Sequence, residues 1–374
     1  MHRRPTRPTT VIRRTLLSML LLCLLIGEAA ANMASPEIFG SKGAAPLVSR
    51  QLDVMSETLH IRAYGKLDSA AVHASYRISV PPGVEGSLPL LFVAMDIHDA
   101  MRVLYDGRPV ALEALNTADF AGFLDPEKGR EEEVVVDFWG GNGGWVYRVK
   151  DLQAFTLDIT PGEHTVDVYY TASPWIDRGD WIRETSIRYS LSPARHWKSF
   201  GPLEVIVDVP EADGLFRSSL KAPMEGSLPG RAVWRFTEIP ADHIAIAFTP
   251  SVDATARLLM GLSPFGLALI AGGVLLLLHI RWMHRFRAKG NVGRSMPLNV
   301  GVLLAPLGFL IAFLFSYDLI DMAIGPDAGR FHGYTFLYLG LYPIITPLYG
   351  LGCWLLDRFW KRRYAEEAVE EITV

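Results

Sequence analysis

The sequence predicts a mainly β extracytoplasmic domain, either one β-sandwich or two in tandem, followed by an α-helical membrane domain of three transmembrane helices. Three observations predict it. Residues 50–250 break into short runs of alternating apolar and polar side chains separated by turn residues. Three long apolar segments follow. Arginine and lysine crowd two of the segments between and after those spans, and aspartate marks the third.

The composition agrees with such a mixture. Of 374 residues, 50% are hydrophobic and 20% charged, which is apolar for a soluble protein and polar for a transporter. A formal charge of −4 carries no basic bias and points away from a nucleic-acid partner. The two cysteines, Cys23 and Cys353, both lie in apolar runs. The β region therefore has neither a disulfide nor a thiolate nucleophile or ligand, and its stability must come from an ordinary core.

At the N-terminus, Arg3, Arg4, Arg7, Arg13 and Arg14 precede the apolar run Leu16 to Ile26, and Ala29-Ala30-Ala31 follows. Basic, apolar and small segments in that order predict a secretory signal (1–31) cleaved after Ala31, the alternative being an uncleaved anchor. Either leaves the next domain outside. Leu22 before Cys23 is too large for a lipoprotein signal, and Arg13-Arg14 leaves a twin-arginine export route open beside general secretion.

A lead-in (32–49) opens the β region (50–250). Turn chemistry at Pro81-Pro82-Gly83, Asp106-Gly107, the glycine-rich run 140–144, Pro161-Gly162 and Pro229-Gly230 separates its candidate strands. In Leu203 to Val209 every odd position is apolar, with Glu204 and Asp208 opposite; Val166 and Val168 share a face in His164 to Tyr170. Side chains two apart share one side of a strand, so one face is core and the other wet. A break in alternation near 175–185 suggests a sub-domain boundary there. The passage Ser75 to Val110, with its segments SYRISVPPG, PLLFVAMD and VLYDGRPV, resembles the all-β N-terminal module of zinc aminopeptidases. That family's H-E-x-x-H metal helix is absent from the sequence, so the resemblance implies a β-module and nothing more.

After a linker (251–261), Leu262 to Ile280 is uncharged and matches the roughly 20 residues that cross a bilayer as a helix. The loop 281–297 is basic, through Arg281, Arg285, Arg287, Lys289 and Arg294. Spans 298–317 and 334–356 follow, joined by 318–333 with three aspartates, and the tail 357–374 opens on a basic cluster. Positive-inside asymmetry then predicts an inner-membrane protein with residues 32–261 extracytoplasmic, or periplasmic, and the C-terminus cytoplasmic. Gly266, Gly272, Gly273, Gly301, Gly308, Gly340, Gly350 and Gly352 would let helices approach closely, in a compact bundle or a homo-oligomer. His279, Asp318 and Asp357 fall at predicted span ends and Asp321 beyond one, so they read as interface residues in reach of water.

No G-x-S-x-G, S-x-x-K, P-loop or dinucleotide glycine pattern occurs. Tyr317-Asp318 with Gly350-Leu351-Gly352 is not an intramembrane aspartyl protease signature, since Cys353 stands where a second aspartate is needed. Asp96, His98 and Asp99 form the densest cluster of metal-capable side chains; Asp96 and His98 would share one side of a continuing strand, but no third ligand to join those two is identifiable, and a strand-end turn is the plainer reading. Neither a metal nor another cofactor is expected. His60, His73, His164, His196 and His243 are scattered. The candidate ligand-binding residues are aromatic: Trp139 and Trp145 flank the glycine-rich run, while Trp175 and Trp181 flank a loop carrying Asp177, Arg178 and Asp180. Tryptophan offers a large flat area with one N–H donor, suited to stacking on a sugar or anchoring a protein, or to plugging the end of a sandwich. The sequence therefore reads as a membrane-anchored, non-enzymatic envelope protein whose exported domain binds a protein or glycan partner. An envelope enzyme with an unrecognised carboxylate or metal site, and an accessory subunit of a transporter or sensor, are its rivals.

Overall fold

The structure is a computed structural model that describes residues 45–47, 52–93, 97–115, 124–125, 133–136, 145–148, 152–191, 197–241, 243–291, 293, 295–329 and 332–373. Its contacts divide the chain into a β unit, Pro36–Ser251, and a helical unit that includes Val252–Val374.

The β unit opens with β1 (Ala45–Leu47), β2 (Asp53–Tyr64), β3 (Ser69–Val80), β4 (Gly86–Val93), β5 (Arg102–Tyr105) and β6 (Arg108–Val110). It continues through β7 (Leu124–Asp125), β8 (Glu133–Val136), β9 (Trp145–Arg148), β10 (Leu152–Ile159), β11 (Gly162–Ala172) and β12 (Trp175–Asp177). The last strands are β13 (Glu184–Ser190), β14 (Ser199–Phe200), β15 (Leu203–Val209), β16 (Gly214–Ser218), β17 (Glu225–Gly226), β18 (Gly230–Phe236) and β19 (His243–Pro250).

Nine of them make one sheet in the order β17-β18-β15-β2-β3-β11-β5-β6, with β14 against β2. Its pairings are antiparallel except where β14 and β15 run parallel to β2. Two smaller sheets, β1-β4-β10 and β12-β13-β19-β16, supply the opposing layer, and β7-β8-β9 forms a separate ribbon. The alternation read from the sequence is what builds the sandwich. Leu203, Val205, Val207 and Val209 are buried while the residues between them are half-exposed. One set of buried side chains joins the large sheet (Leu59, Val72, Val168, Val205) to β4 and β10 (Phe92, Phe155, Leu157) and to β13 and β19 (Ile187, Ile246, Phe248). The stretch near 175–185 is the β12–β13 hairpin, and residues on both sides of it contribute to that single core.

Local chemistry sets the turns. Asp106 and Gly107, with φ of 48° and 76°, join β5 to β6 as a two-residue turn whose left-handed backbone suits Asp-Gly and the twist of a hairpin. Asp106 is pinned there: its carboxylate accepts from the Thr165 amide at 2.9 Å and from His164 Nδ1 at 2.7 Å, while His164 Nε2 donates to the Thr160 carbonyl at 2.8 Å. Burial alone would lower the His164 pKa, but both ring nitrogens donate, and the net effect raises it. In β2 the register against β3 slips between Val54 and Ser56. The bulge turns both Met55 and Ser56 outward and Glu57 inward, so a carboxyl enters the core.

In the helical unit α1 (Ala254–Ala288), α2 (Met296–Ile324) and α3 (Tyr342–Thr373) are each long and apolar enough to cross a membrane, with a 3-10 segment, Thr335–Leu341, leading into α3. Asp253 caps α1 by accepting from the Ala256 amide at 2.7 Å. Ser263 interrupts α1 with a φ of 61°, because the ring of Pro264 disfavours helical backbone in the residue before it. Four of the glycines singled out above sit at helix contacts within the chain: Gly272 against Phe309, Gly301 against His279, Gly308 against Leu275 and Gly350 against Val302.

Two expectations for the spans are corrected. His279 and Asp357 do not reach water at span ends; both are buried between helices. His279 Nε2 donates to the Pro297 carbonyl at 3.0 Å and its Nδ1 meets the Tyr349 hydroxyl at 2.7 Å. Asp357 takes Arg287 Nε and Nη2 at 2.7 and 2.8 Å and the Ser295 hydroxyl at 2.8 Å. The partners lie about one helix hairpin away in sequence, which is why a reading along the chain left them unpaired. Asp318 is exposed, and Asp321 lies inside α2 rather than beyond it, bonded to His332 at 2.8 Å.

Candidate functional site

The site is built from the outer face of the β12-β13-β19-β16 sheet. Ile187, Tyr189, Ile246 and Phe248 point into the core, so Arg188, Ala245 and Ala247 lie on the other face, where Ser186 shares their side but is buried. Register places Trp175 opposite Ser186, Ser186 opposite Ala247, and Ala247 opposite Arg217, one row across four strands. The neighbouring row runs Asp177, Glu184 and, across β19, Thr249 and Leu215.

Trp175 stands at one side of this face and is 43% exposed. The Arg188 guanidinium lies over its ring at 5.2 Å, a cation–π contact that fixes the indole without covering it. Arg188 is itself held, its Nε donating to Ser186 Oγ at 3.1 Å. Half-burial lowers the guanidinium's pKa, against the charges of Asp177 and Glu184. On the far side Arg217 bonds Glu184 and donates to Thr249 Oγ1 at 3.2 Å, and Thr249 donates to Glu184 at 3.1 Å. The Arg217–Glu184 pair thus reaches from β16 to β13 across β19, beside half-exposed Ala245 and Ala247.

The sequence candidates are placed unevenly. Trp175, Arg178 and Trp181 belong to one hairpin: Trp175 on β12, exposed Arg178 in the turn, and half-buried Trp181 after it. Asp177 shapes the turn by accepting from the Gly179 amide at 2.8 Å. Trp145 begins β9, in a different sheet, and Trp139 lies outside the described residues. His98 and Asp99 are exposed, and Asp96 also lies outside the described residues. Among the described residues no group of three or more His, Cys, Asp or Glu is arranged to hold a metal ion.

Two features escaped the sequence. Arg188 was not a candidate, because nothing local ties it to Trp175. Two of the scattered histidines are also paired with carboxylates: His60 and His73 sit directly opposite each other on β2 and β3, with His60 Nε2 2.5 Å from Asp208 and His73 Nε2 2.9 Å from Asp167. His73 stacks on Tyr169 at 4.1 Å, and Arg102 covers that ring at 4.7 Å. These imidazoles lean apart, towards β15 and β11, so they make a polar seam across the large sheet and not a common ligand site.

Fold and site together define a class: a β-sheet domain followed by three helices able to cross a membrane. No protein-family model matches the chain, and no curated protein matches it. Its β domain is similar to a solved structure from Legionella pneumophila described as a proposed nutrient binding protein, at 10% identity and a TM-score of 0.34, over 56% of this chain and 71% of that one. It is also similar to leukotriene A4 hydrolase from Saccharomyces cerevisiae, at 9% identity and a TM-score of 0.31, over 58% of this chain and 31% of the enzyme. A two-domain M1 zinc metallopeptidase aligns at 13% identity and a TM-score of 0.27, over 54% of this chain and 44% of the peptidase.

Proposed function

We propose that the chain is a membrane-anchored envelope protein whose β domain lies outside the cytoplasm and binds a protein or glycan partner through the Trp175 face. The observation that carries this reading is the presentation of Trp175: a large ring left nearly half exposed and braced by a half-buried arginine on the outer face of a sheet. Exposed aromatics of this kind are what binding surfaces use as anchors. The orientation follows from the basic loop 281–297 and the basic start of the tail, which favour the cytoplasm and leave residues 32–261 on the other side. A cleaved N-terminal signal is part of the same reading.

A photo-reactive side chain in place of Ile176, the exposed neighbour of Trp175, tests the binding half in intact cells. A discrete cross-linked product that disappears on Trp175→Ala supports the reading. Cross-linking that is diffuse, or indifferent to Trp175→Ala, removes it. A reporter fused after Thr249 tests the orientation, since a cytoplasmic signal there contradicts it.

A further inference from the structure

We infer that the outward face of α3 carrying Trp354 and Arg358 holds an acidic phospholipid, one acyl chain along its leucines and the phosphate on the Arg358 guanidinium. The inference does not depend on the Trp175 reading. Residues three and four apart share a helix face, and on α3 Ile344, Leu348, Leu351 and Leu355 make one exposed apolar stripe. At 1.5 Å per residue the stripe is about 17 Å tall, close to the half-thickness, about 15 Å, of a bilayer's hydrocarbon. Exposed Trp354 stands at its end, and Arg358, one turn on, lies over that ring at 5.3 Å. The stack fixes the guanidinium against an indole that keeps one N–H donor, at the level where headgroups begin.

Charge selects the headgroup. Between Asp327 and Glu366 the chain has a single carboxylate, Asp357, and it is buried against Arg287 and Ser295. Arg358 is exposed, and Lys361 and Arg362 follow within about 6 Å along the axis, whereas Glu366 comes about 12 Å beyond Arg358. The end of the stripe therefore carries three cations. A headgroup of net negative charge gains from all three, and one that also carries an ammonium gains less. The guanidinium offers phosphate oxygens two parallel N–H donors. Side-chain size selects a lipid over another helix. Close helix contacts use small residues, and Gly350 makes one with Val302 of α2 away from the stripe, while Cys353, Leu356 and Trp360 pack with Met283 of α1. The stripe is leucine, isoleucine and tryptophan, and a helix laid along it would bury Arg358 and Arg362 too, a cost that a chain ending in a phosphate avoids.

The test uses full-length protein in detergent, stripped of lipid, mixed with phosphatidylglycerol or with phosphatidylcholine of the same acyl chains and read by native mass spectrometry. Each cation beside an acidic lipid is worth about fivefold in binding, so phosphatidylglycerol is expected to be retained at least about fivefold better than phosphatidylcholine. Arg358→Gln, and separately Lys361→Gln with Arg362→Gln, are each expected to lower phosphatidylglycerol retention about fivefold or more and to leave phosphatidylcholine unchanged. Arg285→Gln removes an exposed cation of α1 and is expected to change neither. Equal retention of the two lipids by wild type, or phosphatidylglycerol retention indifferent to Arg358→Gln, overturns the inference. So does an equal loss in Arg285→Gln, which would make the attraction a property of the whole basic end of the bundle. A second copy of the chain bound in place of lipid overturns it as well.

Discussion

Glu57 makes the sharpest prediction. Its side chain is buried in the core, where Tyr189 donates to it at 2.9 Å and Tyr76 sits 2.5 Å from the Tyr189 hydroxyl. Desolvation raises its pKa to about 7, against the hydrogen bonds from Tyr189 and Tyr76 that favour the carboxylate. In the unfolded chain the value is ordinary, near 4.5. Between those two values the folded protein holds more protons than the unfolded one, so stability falls as pH rises. Its contribution is complete below about 4.5 and lost through about 7. At 1.36 kcal/mol per unit the loss is about 3 kcal/mol. Glu57→Gln keeps the shape and an acceptor for Tyr189 but cannot ionise. Urea unfolding of the full-length protein in detergent, followed by tryptophan fluorescence at pH 5 and pH 8, should show wild type losing about 2–3 kcal/mol more than the variant across that interval, the first part of the loss falling below pH 5. An equal pH dependence in both proteins would refute the reasoning.

Other outcomes follow from the same geometry. Asp357→Ala leaves Arg287 buried without its partner and should cost about 3–5 kcal/mol, read as a lower thermal midpoint in detergent, whereas the double change Arg287→Met with Asp357→Leu should cost much less. Gly301→Ala places a methyl 2.1 Å from His279 Nε2 and should destabilise the helical unit by about 1–3 kcal/mol, partly relieved by His279→Ala. His164→Gln removes a group whose pKa is raised on folding. Its stabilising effect is present below about 6.5 and lost at higher pH, so the variant should be weaker than wild type at pH 5.5 and close to it at pH 9 by the same unfolding assay.

Much of this molecule is legible along the chain because its signals are local. Leu203 to Val209 alternates, and the structure buries the residues that alternation selects. Asp106-Gly107 makes the hairpin its chemistry favours. The apolar spans are helices of sufficient length. The candidate site was partly legible: Trp175, Arg178 and Trp181 are on one hairpin since they are close in sequence, while Trp145 belongs to another sheet.

Pairing across long separations was not legible. Arg287 and Asp357 are 70 residues apart, and each looks like an interface charge until the helices bring them within 2.7 Å. His60 meets Asp208 across 148 residues, and only the parallel pairing of β15 with β2 puts them together. Glu57 was hidden by a bulge: one extra residue in β2 shifts the parity of everything before it, and no local pattern announces where a ladder will slip. Arg188 needed the register of β12 on β13 before it could brace Trp175. The sequence by itself determined the β domain, the three apolar helices and the core face of regularly alternating strands such as Leu203 to Val209, because burial follows periodicity within a single element. Only the tertiary structure decided which charges are buried, which histidines are paired and which tryptophan is left exposed, because those depend on partners that the chain supplies from far away.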